Sequence, residues 1–123
     1  MNKRIKAQWV KALLSGKYLQ AKGAQRRKDD KGRYGFCALG VLTDLYIKSK
    51  AGRAVNACWW EPGEPRASST NPLNSTGLLD LEVASWAGLW GYCPYAGEKS
   101  LVYWNDETGV GFKSIAAQIQ KYL

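Results

Sequence analysis

The sequence predicts an α+β fold in which about four helices pack with a small antiparallel sheet or hairpin. Three observations predict this class. Apolar residues recur at helical spacing in four segments, a polar, glycine-containing turn separates two short candidate strands, and 46% of the 123 residues are hydrophobic. A chain of this length is expected to form a single compact domain, residues 1–123, whose core needs no disulfide.

The first element is a helix that Asn2 is expected to cap. Ile5, Trp9 and Leu13 fall on one face at helical spacing, and the lysines lie off that face. Gly16 follows the last apolar residue and is expected to end the helix.

A hairpin is predicted next. A strand is expected to begin at Tyr18 and Leu19, and the polar stretch Lys28–Gly32 has the composition of a turn.

The second helix is expected from about Phe36 to Lys48 and is apolar on nearly every side, which predicts burial. Gly40 within it predicts that another element packs closely there. Cys37 stands near its start, where a thiol pKa can be depressed. Because the chain has no histidine to accept a proton, we expect Cys37 to be a small core residue and not a nucleophile.

The second half of the chain is expected to be more irregular. Its elements are predicted to be a strand in residues 52–60, a long loop rich in Pro, Ser and Asn at residues 61–77, a helix at Asp80–Ala87 ended by Gly88, a strand at Ser100–Trp104 and a last helix around Phe112–Ile119.

The positive charge is concentrated at the front of the chain. Residues 1–53 hold 14 Lys and Arg against 3 Asp and Glu, whereas residues 54–123 hold 4 against 7, within a net charge of +8. A basic half attracts anions such as nucleotides, nucleic acids or acidic protein faces.

The composition also argues against several classes of site. Three cysteines, no CxxC spacing and no histidine predict no metal site and no disulfide framework, and no cofactor motif is present. No apolar run approaches the length of a membrane span, and the basic N-terminus does not have the pattern of a signal peptide. A cytoplasmic location and no membrane association are therefore expected.

Four motifs occur in order along the chain: "W..AL.SG.Y.Q..G" (9–23), "FCALGVLTDL" (36–45), "LEVASWAGL" (81–89) and "WNDETGVGFKSIAAQI" (104–119). Together they resemble an uncharacterised family of small proteins from tailed phages, prophages and bacteria. The chain departs from that pattern at Ala38 and Thr43, where cysteines are frequent, and at Gln25, where leucine is expected. The resemblance implies a phage or prophage origin and a cytoplasmic setting in an infected or lysogenic host, and it implies no activity.

Basic residues around the predicted turn and an excess of tryptophan suggest a ligand site. Aromatic faces beside Lys or Arg can stack on a base and hold its phosphates, although they also suit a protein–protein hot spot or a core short of leucine. A solvated hairpin tip is the alternative for the basic residues. The predicted ligand-binding residues are Arg26, Arg27, Lys28, Arg33, Trp59, Trp60, Trp104, Asn105 and Asp106.

Asn105 and Asp106 were included because they follow an apolar run and precede a glycine-containing turn. Their side chains could orient a ribose or a base edge. The alternative is that both cap the turn, since Asn and Asp readily bond nearby backbone amides.

Three functional hypotheses follow. The first is a non-enzymatic protein that captures a nucleotide-type anion, either a signalling nucleotide or nucleic acid, and thereby antagonises host defence. The second is a protein–protein inhibitor of a host complex that uses Trp59, Trp60 and the long loop. The third is a small histidine-free enzyme acting on a nucleotide through Cys37, Asp106 or Glu107, and it ranks last because no catalytic pattern supports it. A homo-oligomer is left open.

Overall fold

Six helices lie within residues 1–61 and 70–123, the part of the chain that this computed structural model describes. The helices are α1 (Lys3–Leu14), α2 (Ala38–Lys48), α3 (Lys50–Ala54), α4 (Leu81–Ala87), α5 (Leu101–Asp106) and α6 (Phe112–Tyr122). The central helix α2 contacts α1, α3, α4 and α5, and α1 packs along α6.

The strands are short and form three small sheets. The strands are β1 (Leu19–Gln20), β2 (Arg26–Lys28), β3 (Tyr34–Phe36), β4 (Ala57–Trp59), β5 (Asn71–Leu73), β6 (Tyr95–Ala96) and β7 (Lys99–Ser100). In the first sheet the strand order is β1-β3-β2, with β1 parallel and β2 antiparallel to β3. In the second sheet β4 and β5 are parallel, and in the third β6 and β7 are antiparallel.

The predicted α+β class is confirmed, with two differences in detail. The described residues form six helices where about four were expected, because α3 and α5 are too short to show a repeated apolar face. Two of the strand pairings are parallel, since residue alternation places side chains on a face but does not fix the direction of the partner strand.

The first helix begins and ends where the sequence predicts. The Asn2 Oδ1 accepts a hydrogen bond from the Ile5 amide at 3.0 Å, which satisfies one free N–H of the first turn. The indole N–H of the buried Trp9 donates to the Ala38 carbonyl at 2.9 Å and joins α1 to α2.

Helix α2 is the buried spine of the fold. Nearly all of its first nine residues are buried, as its apolar composition predicts. A Cβ at Gly40 would lie 1.8 Å from the Gln25 carbonyl oxygen, so the predicted close approach is confirmed and comes from the residue before β2. That carbonyl accepts from the Cys37 amide at 3.0 Å.

Three predictions for the second half are wrong in part. The strand expected in residues 52–60 is confined to β4 (Ala57–Trp59), because Lys50–Ala54 form helix α3, which Ser49 caps by accepting from the Gly52 amide at 3.1 Å.

The strand expected at Ser100–Trp104 is mostly helix α5, because Ser100 caps it by accepting from the Tyr103 amide at 3.1 Å. A short apolar run of this kind fits a buried helix as well as a strand.

The long loop expected at residues 61–77 contains strand β5, which pairs with β4. The Pro at its centre lies in an edge strand, where a missing N–H is tolerated. The remaining part of that prediction, residues 62–69, lies outside the described residues.

Candidate functional site

Strands β2 and β3 present a face on which basic and aromatic side chains meet. The register pairs Arg26 with Phe36 and Lys28 with Tyr34, so these side chains share one face of the ribbon. Arg27 pairs with Gly35 and extends to the other face, where its guanidinium donates to the Lys22 carbonyl at 3.1 Å. The cations of the hairpin therefore do not all project in one direction.

Arg26 is the centre of the aromatic cluster. Its guanidinium carbon lies 4.0 Å from the centroid of the Tyr34 ring and 4.9 Å from that of Trp59. The guanidinium also forms an ion pair with Glu61, and the Tyr34 hydroxyl donates to the same carboxylate at 3.2 Å. Stacking and pairing together hold this arginine in one orientation.

An open hollow of about 400 Å³ lies beside Arg26. Trp60 is 38% exposed there, and its amide donates to the Leu73 carbonyl at 2.9 Å, which fixes the backbone after β4. Lys28 is exposed, with its ammonium 5.4 Å from the Tyr34 centroid. The hollow is lined by Arg26, Arg27, Lys28, Tyr34, Trp60, Glu61 and Ser75.

The indole of Trp59 is anchored by the buried carboxylate of Asp44. Its indole N–H donates to Asp44 at 3.2 Å, and Asp44 also accepts from the Tyr18 hydroxyl at 2.6 Å and from the Lys48 ammonium at 2.7 Å. Burial acts to raise the pKa of Asp44, but the three donors outweigh it and hold that pKa below its usual value. Trp59 is thus an anchored, half-buried wall for Arg26.

Arg33 lies apart from the hollow, at the hairpin turn. Its Nε donates to Asp29 at 2.8 Å, and the other oxygen of Asp29 accepts from the amides of Lys31 and Arg33. The hydrogen bond from the Arg33 amide contributes most to lowering the pKa of Asp29, and the bonds from the Arg33 side chain and the Lys31 amide act in the same direction. The arrangement shapes the turn and leaves Arg33 exposed.

Trp104, Asn105 and Asp106 lie on α5, and none of them lines the hollow. The fully buried Asn105 donates to the Ala21 carbonyl at 2.7 Å and to Asp106 at 2.8 Å, and it accepts from Gln20 at 3.0 Å.

The Trp104 indole donates to the Ala96 carbonyl at 3.0 Å. The hydrogen bonds of Trp104 and Asn105 tie α5 to β6 and to the end of β1, and they use both donors of the Asn105 amide group and one acceptor site of its oxygen.

Five of the nine predicted site residues thus lie together in or against one cluster, and four lie elsewhere. The cluster members are Arg26, Arg27, Lys28, Trp59 and Trp60.

A family model described as a domain of unknown function (DUF8296) matches residues 1–123. The chain belongs to this family. No curated protein and no solved structure matches it. The family model covers the whole length of the chain, so the prediction that the chain belongs to an uncharacterised family is confirmed.

The hollow brings exposed aromatic faces beside cations, an arrangement that can stack on a flat group and attract an anion. Within residues 1–61 and 70–123, no group of three His, Cys, Asp or Glu side chains could hold a metal ion. Cys37 is 4% exposed, and burial raises the pKa of its thiol to about 11, which opposes thiolate formation. Over the same residues, none of the helices has the length and hydropathy needed to cross a membrane.

Sequence reasoning missed Tyr34, Glu61 and Ser75 as lining residues. Tyr34 pairs with Lys28 across a turn at residues 29–33, one residue further along than the predicted turn at Lys28–Gly32, so the register that brings Tyr34 to the hollow was not predicted. Glu61 and Ser75 carry no local signal, since they reach the hollow through the pairing of β4 with β5.

Proposed function

We propose that this protein is a non-enzymatic binding protein that captures an anionic nucleotide-type ligand at the hollow between β2, β3 and the end of β4. The observation that carries the proposal is the meeting of the exposed rings of Trp60 and Tyr34 with Arg26 and Lys28 around one open space. Aromatic faces can stack on a base at about 1–3 kcal/mol per base, and the cations attract its phosphates.

The size and exposure of the hollow support a ligand with one stacked base. About 400 Å³ is near the lower end of small-molecule sites, which fits a mononucleotide unit better than a larger cofactor. Trp60 and Tyr34 are 38% and 36% exposed, so their rings retain free surface for stacking.

Glu61 would compete with a bound anion for the Arg26 guanidinium. Its carboxylate neutralises the Arg26 guanidinium in the free protein. A phosphate that binds Arg26 would have to displace this carboxylate or share the guanidinium with it. Lys28 has no carboxylate partner among the described residues and is the cation that a phosphate would meet first.

In the phage or prophage setting that the motifs imply, capture of a signalling nucleotide or of nucleic acid would antagonise host defence. Either ligand offers the same chemistry, a base with its phosphate. The experiment below therefore includes both sources.

The test is calorimetry of the full chain at moderate salt with cyclic dinucleotides, ADP-ribose and short single-stranded oligonucleotides. We expect at least one class to bind, and W60A to weaken that binding at least about tenfold through lost stacking. The matched control is W90A, because Trp90 is 97% exposed and does not line the hollow. Heat from small nucleotides alone or from oligonucleotides alone identifies the source.

Charge variants test the phosphate contact independently of stacking. K28A should weaken binding, whereas K31A, at the exposed turn, should leave it within about twofold. E61Q should strengthen binding, because it removes the carboxylate that competes for Arg26. No heat from any ligand, or equal losses in W60A and W90A, would refute the proposed function.

A second candidate is a protein–protein inhibitor of a host complex that uses the edge formed by Trp59 and Trp60. It is supported by the exposure of Trp60 and by the parallel pairing that holds both residues at the end of β4. A pull-down from host lysate should then retain one stoichiometric protein after nuclease treatment, and W60A should release it. Loss of that protein after nuclease treatment would favour nucleic acid instead.

A further inference from the structure

A groove lies between α1, α3 and the end of α2, separate from the hollow. Its volume is about 880 Å³. None of its lining residues lines the hollow. Its lining residues come from α1, α2, α3 and α4 and from the residues that cap α1 and α3.

The floor of this groove is apolar. Trp86 is half-buried and packs edge-on against Tyr46, with ring centroids 5.3 Å apart, so one part of its indole remains uncovered. Leu45 is also half-buried, and Ala51 and Ala54 of α3 add exposed methyl groups to this floor. An uncovered apolar floor of this size suits a row of apolar side chains from another molecule.

The rim of the groove is cationic. Arg4, Lys50 and Arg53 have no acidic partner among residues 1–61 and 70–123, whereas the fourth cation, Lys48, is paired with Asp44. The groove has no Asp or Glu among its lining residues. A partner that carries carboxylates beside its apolar residues is therefore complementary in charge.

The backbone around the groove decides the form of that partner. The walls are helices, and none of the described strands contributes a residue to the lining. The groove thus offers no free strand edge for pairing with an extended peptide. Docking of an amphipathic helix by its apolar face needs no such edge.

We propose that this groove binds an acidic amphipathic helix of a partner protein. The apolar face of that helix would lie on the floor formed by Leu45, Ala51 and Trp86. Its flanking carboxylates would meet Arg4 on one wall and Lys50 and Arg53 on the other. The surface is distinct from the nucleotide hollow, and binding at one site does not depend on the other.

The probe is a labelled peptide of about 16 residues with leucines on one helical face and glutamates on the other. Fluorescence anisotropy with the full chain should show binding. Two control peptides, one with the same residues scrambled and one with lysine in place of glutamate, should bind at least about tenfold more weakly.

Two matched sets of variants locate the site. R4E/K50E/R53E should weaken binding of the probe at least about tenfold. K3E/K11E/K113E changes the net charge equally but lies outside the groove, and it should weaken binding less than about threefold. A51E on the floor should also abolish binding, while A7E on the exposed side of α1 should not. Circular dichroism melts establish that each variant is folded.

Four outcomes would overturn the proposal. The first is no binding of the acidic probe, and the second is an equal loss of probe affinity in the two sets of charge variants. The third is a single-stranded oligonucleotide that binds more tightly than the probe and loses affinity only in R4E/K50E/R53E. The fourth is a dimer in sedimentation that R4E/K50E/R53E dissociates, which would mean that a second copy of the chain covers the groove.

Discussion

At the residue scale, Asp44 shows how one buried carboxylate can organise three neighbours. It accepts from Tyr18, Trp59 and Lys48, and these donors are what keep its pKa low in spite of burial. The same contacts explain why Tyr18, whose hydroxyl is partly desolvated and faces this carboxylate, has a raised pKa.

We predict that D44N lowers the free energy of unfolding at pH 7 by about 1–3 kcal/mol, because a neutral amide accepts weaker hydrogen bonds. The folded pKa of Asp44 lies below its unfolded value of about 3.9, so its stabilisation is present above that pH and is lost as pH falls through the folded pKa. Urea titrations at several pH values should therefore show the two proteins converging in acid. A difference that stays constant from pH 7 to pH 2 would contradict this.

We predict that Cys37 resists alkylation in the folded protein. Its thiol is buried with a pKa of about 11, whereas Cys58 and Cys93 are half-buried. Iodoacetamide at pH 8, read by peptide mass spectrometry, should label Cys58 or Cys93 first and Cys37 only when urea is added. Rapid labelling of Cys37 in the native protein would return it to the list of candidate nucleophiles.

At the element scale, long helices were predictable and short elements were not. Helices α1, α2, α4 and α6 carry apolar spacing or a terminal glycine, which are local signals. Helix α5 has only six residues, too few to show a repeated apolar face beside its Ser100 cap, and strand β5 is set by a partner strand brought from elsewhere in the chain.

We predict that G40A destabilises the fold by about 3 kcal/mol, at the upper end of overpacking effects. The new methyl group would meet the Gln25 carbonyl carbon and oxygen, which are backbone atoms and cannot rotate away. G77A is the matched control, since nothing lies within 4 Å of a Cβ there. Thermal melts should separate the two variants clearly, and equal melting temperatures would show that β2 can move away from α2.

At the scale of the whole molecule, the uneven charge is distributed over two surfaces. Part of the basic excess of residues 1–53 lies on the β2–β3 hairpin, and part lies on α1, α2 and α3 around the groove. The sequence predicted an anion-binding exterior, but it could not show that Glu61 would neutralise Arg26, because the two residues are brought together by the fold.

We predict that binding of a short single-stranded oligonucleotide weakens about tenfold between 50 and 200 mM salt, as expected when two or three phosphates are neutralised. Anisotropy titrations at four salt concentrations measure the slope. K28A should make the slope shallower, and K113A should not. Binding that is independent of salt would mean that stacking acts without phosphate contacts.

The hydrogen bond between Thr43 and Gln25 has a consequence for the family's history. Both residues depart from the pattern that the motifs resemble, yet the Thr43 hydroxyl donates to the buried Gln25 side chain at 2.6 Å, while the Gln25 amide group donates to the Asn74 and Leu78 carbonyls. Either side chain alone would lose this buried hydrogen bond, so we expect the two positions to have been exchanged as a pair. T43V should cost about 1–3 kcal/mol in this chain and much less in a Q25L background, and sequences with leucine at position 25 should carry an apolar residue or cysteine at position 43.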